Sequence, residues 1–331
     1  MREHRGPAFV DLQVNGFAGV DYNAEVSSEQ IAVSFAAMEA TGVGLCLPTI
    51  ITSTFEHFRD CARRVLATGH PIIAGLHMEG PYISPQDGFR GAHPLSCVVD
   101  ASMDDFRRRQ DAADGHIRLL TLAAEVPGAL TVIEGAVAMG VRVALAHSNA
   151  TTAQIADAVS AGATMSTHLG NGCPAVLPRH PNVIWDQLAT DQLWASLIVD
   201  GHHLPPATVK VMMRAKGPER CLLVTDAIMA AGAAPGRYRL GDLEVVADPS
   251  GRVAVPGSLT LAGSSLTMPQ AVGLASLWAS LDMGVAWAMA STQPAHYLGL
   301  PTRGEATVRW SNDGATVEQV AFSPESQQDG G

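Results

Sequence analysis

The chain has 331 residues, is 47% hydrophobic, and sets 32 acidic against 21 lysine and arginine residues for a net charge of -11. That length and apolar content can fill one large α/β core or two smaller ones, and so acidic a surface argues against nucleic acid or an anionic membrane as partner. Five scattered cysteines without a CxxC pair exclude a disulfide framework and a cysteine zinc site and point to a reducing cytoplasm, and no apolar run approaches the roughly 18 residues of a membrane helix.

Taken in chain order, short β-rich apolar runs near 9 to 14, 43 to 47, 72 to 77, 117 to 122, 141 to 146, 163 to 167, 195 to 199 and 221 to 225 predict eight strands. Helical patterns lie between them, for example at 28 to 40, 151 to 162 and 205 to 217. Ser28 and Thr151 suit N-caps, and Gly42, Gly162 and Gly217 sit where helices stop. Eight β then α units whose strands lack a wet face read as a (β/α)8 TIM barrel, placed at 7 to 302. A doubly wound sheet is the runner-up, but no Gly-rich phosphate loop follows the first strand.

Beyond the eighth strand, residues 237 to 255 alternate as a hairpin turning near Asp248 to Gly251. Helical patterns follow at 264 to 282 and 284 to 297, then a strand pair turning near Asn312 to Gly314. This pair predicts a short β segment, 303 to 323, packed outside the barrel. The polar stretch 324 to 331 reads as a disordered tail.

In such a barrel, catalytic groups come from the C-terminal strand ends. The apolar runs here end on Glu79, Glu125, His147, His168, His202, His203 and Asp226. A catalytic zinc takes three ligands from His, Asp or Glu and leaves a position for water, whose pKa it lowers to about 7. His147 and His168, on successive strands, form the best histidine pair, and spacing leaves Glu79 and Glu125 equal as the carboxylate. Asp226, followed by small residues, suits a general base that later acts as acid; bracing a loop is its structural alternative.

The ordered motifs VDLQVNGFAGVDYN, LPTIITS, GLHMEGPYISP, GAHP, AHSNAT, STHLGNG, DGHH, LVTDAIMAAG and LAGSSLTM run from about Phe9 to Leu300. Together they resemble the N-acetylglucosamine-6-phosphate deacetylase family of the amidohydrolase superfamily. The resemblance implies a metal-dependent hydrolase that removes the N-acetyl group from an N-acetylhexosamine 6-phosphate. It implies Glu79, His147 and His168 as ligands of one divalent metal, zinc with iron as the alternative, Asp226 as catalytic base and His93 of GAHP as a hydrogen-bond partner of the substrate carbonyl. It further implies Asn171, Gly172, Arg179 and His203 as substrate contacts and a homodimer. Gln13 and Asn15 stand where many amidohydrolases carry His-x-His, which implies a single metal; for Asn15 the expectation is a brace at the strand end. Arg90 is weighed as a further anion contact. The family's usual HLYNAM reads HLGNGC here, and the fifty or so residues that usually precede the first strand are not matched. A sister amidohydrolase acting on another amide or a cyclic imide, or a non-catalytic sugar-binding barrel, remain as rival expectations.

Overall fold

Every residue of Phe9–Val14 is buried, as a strand covered on both faces requires. It is the first of eight parallel strands that lie side by side in chain order: Phe9–Val14, Val43–Ile51, Leu76–Glu79, Ile117–Leu122, Arg142–Leu145, Met165–Ser166, Trp194–Leu197 and Cys221–Leu223. This computed structural model describes residues 2 to 241, 243 to 257 and 260 to 324. The eight-stranded sheet and the intervening helices bear out the barrel and dispose of the doubly wound alternative.

A barrel needs its first strand to meet its last. The seam is joined by main chain just past the eighth strand, where Asp226 N-H donates to Gln13 O at 2.9 Å and Asn15 N-H to Ala227 O at 2.7 Å. Lower in the seam a side chain does the joining. The buried Asp11 carboxylate accepts the Thr225 N-H at 3.2 Å and the Thr225 hydroxyl.

The helices follow local rules with two corrections. The first, Ser28–Glu39, is capped by Ser27 and not by Ser28, because Ser27 has the extended backbone of a cap and lies three residues before Gln30, which completes a capping box. Ser28 instead donates its hydroxyl to Arg64 O. Thr151 caps Thr152–Ala161 as expected, and Gly162 and Gly217 end their helices with positive φ. The single helix expected over 284 to 297 is two, Met283–Ala288 and Thr292–Leu298. Pro294 lacks an N-H and fits only the first turn of a helix, so a new helix must begin just before it.

Residues 236 to 254 make three antiparallel strands, Gly236–Leu240, Leu243–Ala247 and Val253–Ala254, where one hairpin was expected. The turn at Asp248 to Gly251 is present, and a second turn passes through Gly241 at φ +56°. The outer pair Glu305–Trp310 and Val317–Ser323 forms as expected, but a third strand, Arg2–Pro7, completes its sheet. That strand is polar and largely exposed, so it carries no apolar signal. The Trp310 indole donates to Pro269 O and the Trp287 indole to Pro7 O, docking the sheet on the barrel helices. The predicted tail, apart from Pro324, lies outside the described residues. Among the described residues no helix is long and apolar enough to cross a membrane.

Burial pushes the Asp11 carboxyl up to about 7, against the hydrogen bonds from Thr225 and Gln13. Its folded pKa exceeds the unfolded value of about 3.9, so its contribution to stability is whole below pH 4 and is lost as pH rises through about 7. Urea unfolding at pH 5 and pH 8 should therefore show Asp11→Asn gaining on the wild type at the higher pH. An equal gap at both values would contradict this account of the seam.

Candidate active site at the C-terminal rim of the barrel

Glu79 is the last residue of the third strand, and His147 and His168 follow the fifth and sixth strands by two residues each. Asp226 follows the eighth. His147, His168 and Asp226 all have left-handed backbones, with φ of 49°, 34° and 47°. A non-glycine residue in that region carries local strain of about 1 to 3 kcal/mol, which surrounding structure must hold in place. In each case the turn redirects the side chain of a residue leaving its strand.

The Nε2 atoms of His168 and His147 lie 2.9 and 3.3 Å from the same oxygen, Glu79 Oε1. The two rings meet edge to face at 84°, and the three residues present one ligand atom each within 4.8 Å of one another. His147 Nδ1 stands 2.9 Å from Phe89 O. A carbonyl can only accept, so Nδ1 carries the hydrogen, and in the neutral ring the Nε2 lone pair faces the carboxylate. Two such electron-rich atoms attract each other only through a cation or proton between them. The pair of imidazoles and one carboxylate matches a common donor set of catalytic zinc. The group is fitted to hold a metal ion. Burial pushes the Glu79 carboxyl upward, yet with the rings of His147 and His168 protonated their hydrogen bonds and charge hold it well below its ordinary range.

Gln13 and Asn15 each donate a side-chain hydrogen bond to a carboxylate at a neighbouring strand end. Gln13 lies in the first strand and Asn15 in the bend just past its end, and Gln13 Nε2 donates to Glu79 Oε1 at 3.1 Å while Asn15 Nδ2 donates to Asp226 Oδ1 at 2.7 Å. Asp226 is partly exposed. The surrounding protein, with the charge of Glu79 adding to it, pushes its carboxyl up to about 6, while His168, His203 and the Asn15 amide pull down.

His93 is buried, its ring 4.4 Å from that of His147 and its Nδ1 2.8 Å from the Thr52 hydroxyl. Burial presses it down to about 3, with the neighbouring His147 acting in the same sense, so it is neutral. Arg90 proves to be a brace: its guanidinium donates to His93 O at 2.7 Å and to Asp87. His203 gives Nδ1 to Asp200 at 2.7 Å, and the same carboxylate receives the His202 and His203 N-H groups. Asn171 keeps a buried Nδ2 without a partner, and Gly172 backs His147 so closely that a Cβ there would stand 2.8 Å from Nδ1. Arg179 is not gathered with these groups; it lies exposed on the loop before Asn182. Glu125 accepts from Ser148 and Asn149 and so holds the loop behind His147, outside the three-residue cluster. Sequence reasoning missed Thr52 and Asp200, although an aspartate three residues before His203 was a readable turn signal.

No protein-family model matches the chain. It is 32% identical over 318 residues, 95% of this chain and 81% of its relative, to N-acetylglucosamine-6-phosphate deacetylase of Lysinibacillus sphaericus. It is 33% identical over 304 residues, 90% of this chain and 75% of the relative, to N-acetylgalactosamine-6-phosphate deacetylase of Shewanella sp. strain ANA-3. Among solved structures, an aspartate-to-alanine mutant of the Mycobacterium smegmatis N-acetyl-D-glucosamine-6-phosphate deacetylase, in complex with N-acetyl-D-glucosamine-6-phosphate, superposes with a TM-score of 0.85 at 31% identity, covering 96% of this chain and 86% of that one. The chain belongs to the N-acetylglucosamine-6-phosphate deacetylase family. As a member of that family it is an amidohydrolase, and Glu79, His147 and His168 are the group that could hold its metal. Elemental analysis of the purified deacetylase homologue should find a divalent metal that His168→Ala largely abolishes while leaving the thermal transition cooperative. Full metal occupancy in that variant would disqualify the cluster.

Proposed function

We propose that this chain hydrolyses the acetamide of an N-acetylhexosamine 6-phosphate to acetate and the amino sugar phosphate. The observation that carries this reading is the convergence of Glu79, His147 and His168 on one point, beside Asp226, in a chain related to such deacetylases over nine-tenths of its length. Two imidazoles and one carboxylate favour a single zinc, with iron as the alternative. When bound, such an ion polarises an amide carbonyl and acidifies water.

The chain's own groups then have separable tasks. Asp226, partly exposed and ionised above about pH 6, accepts a proton from water as the water oxygen bonds to the acyl carbon. It returns that proton to the sugar nitrogen as the C-N bond breaks. His93 is neutral and shares its Nδ1 with the Thr52 hydroxyl. With Thr52 as donor there, His93 keeps a proton on Nε2 for the substrate carbonyl. Asp200 holds His203 by Nδ1, leaving Nε2 for a substrate oxygen. Asn171 has a buried amide nitrogen still to be used, Gly172 lets the chain pass close to His147, and Arg179, exposed outside this group in the single chain, offers a guanidinium for phosphate across a dimer interface.

The exposed side chains Val176 and Trp185 flank the Arg179 loop. A second copy seated there would bury this apolar surface, which favours a homodimer. A cytoplasmic setting fits a phosphorylated sugar substrate and five free cysteines.

Acetate release from the 6-phosphates of N-acetylglucosamine and N-acetylgalactosamine, set against the unphosphorylated sugars, tests the proposal directly. Activity on neither phosphate would defeat it. Asp226→Asn should retain the metal and lose roughly 100- to 10,000-fold in kcat; near-normal turnover would remove Asp226 from its role. Arg179→Ala should raise KM for the phosphorylated sugar about 10-fold and leave the unphosphorylated one unaffected. An equal effect on both would free Arg179 of the phosphate.

A further inference from the structure

Asn15 is 5% exposed and unusually well anchored. Its N-H donates to Ala227 O at 2.7 Å and its carbonyl accepts the Tyr22 N-H at 2.9 Å, so both main-chain groups are engaged. Its neighbour Gly16 also donates to Ala227 O, at 3.2 Å. The side chain therefore projects from a fixed platform, and that platform is shared with Asp226, whose own N-H is held by Gln13 O at 2.9 Å. Base and amide are mounted on the two sides of one seam.

The orientation of the amide is set by chemistry. Nδ2 lies 2.7 Å from Asp226 Oδ1, whereas Asn15 Oδ1 is buried without a protein partner. Turning the amide over would place an oxygen against an ionised carboxylate, which is repulsive, and would not improve on a free N-H elsewhere. Nδ2-H must face Asp226.

We propose that Asn15 is a positioning residue for the base: its amide occupies Asp226 Oδ1, fixes the carboxylate plane across the seam, and reserves Oδ2 as the oxygen that exchanges the proton. This rests on the deacetylase reading of the site. The consequence for the reaction is directional. Water gives its proton to Oδ2 as its oxygen bonds to the acyl carbon, and Oδ2 delivers the same proton to the departing nitrogen as the C-N bond breaks. Oδ1, engaged by a donor throughout, does not compete for it. A neutral amide also holds the carboxylate without adding a charge, so Asp226 stays basic enough to take the proton; a cationic partner in the same place would oppose that.

The test uses the metal-loaded full chain, with wild-type acetate release from the acetamido sugar phosphates as its control. Asn15→Ala should lower kcat roughly 10- to 100-fold, the loss of one hydrogen bond to a charged group, with KM within about 2-fold. The acidic limb of its kcat profile should move to higher pH, because ionised Asp226 has lost a donor. Asn15→Asp keeps the shape and replaces the donor, so it decides the matter if the alanine variant does not fold; its acidic limb should move in the same direction and further. In an Asp226→Asn background, Asn15→Ala should cause no added loss. An unmoved acidic limb in the soluble variants, or the same fold-loss with and without Asp226, overturns the inference while leaving the deacetylase reading in place. Absence of wild-type turnover overturns both.

Discussion

Everything at the rim depends on how the barrel is closed. Seven of the eight strand contacts are parallel pairings, two of them with a register shift, but the eighth is a short seam in which Asp11, Gln13 and Asn15 meet Thr225, Asp226 and Ala227. A buried carboxylate and alternating main-chain bonds align the first strand with the end of the eighth and pair the buried N-H and C=O groups they join across the seam. A parallel register slipped by one position would turn Gln13 and Asn15 away from the site and remove the platform of Asp226.

The same economy of position operates around the metal cluster. Glu79 leaves its strand with ordinary backbone, but His147, His168 and Asp226 each need a left-handed turn to swing inward. Those turns are stabilised from behind. Gly172 makes room for His147, Phe89 O settles its tautomer, and Glu79 gathers both imidazoles on one oxygen. Beneath them His77 joins Thr49 and Thr121, and Thr121 meets Thr167, so the layer below the ligands is polar but satisfied. Strain at the rim is held by order in the layer underneath.

Part of the site was legible because the fold converts sequence position into spatial position. A polar residue that ends an apolar run must sit at the barrel rim, which is why Glu79, His147, His168 and Asp226 could be read before any coordinates. The choice between Glu79 and Glu125 could not be made that way. Both end runs, and only the packing shows that Glu125 turns to Ser148 and Asn149 while Glu79 turns to the histidines. Likewise Arg90 has the composition of an anion contact and the geometry of a loop brace.

What the sequence alone determined is what repeats: eight apolar runs, the helices between them, and the rim identity of the residues at strand ends. These follow from local periodicity and from the burial that a parallel sheet demands. The tertiary structure alone decided the pairing of Arg2–Pro7 with Glu305–Trp310, the partners of Gln13 and Asn15, and the meeting of three ligand atoms at one point. Each of these joins residues far apart in the chain through directional bonds, and no local pattern encodes the distance or angle at which two such residues will meet.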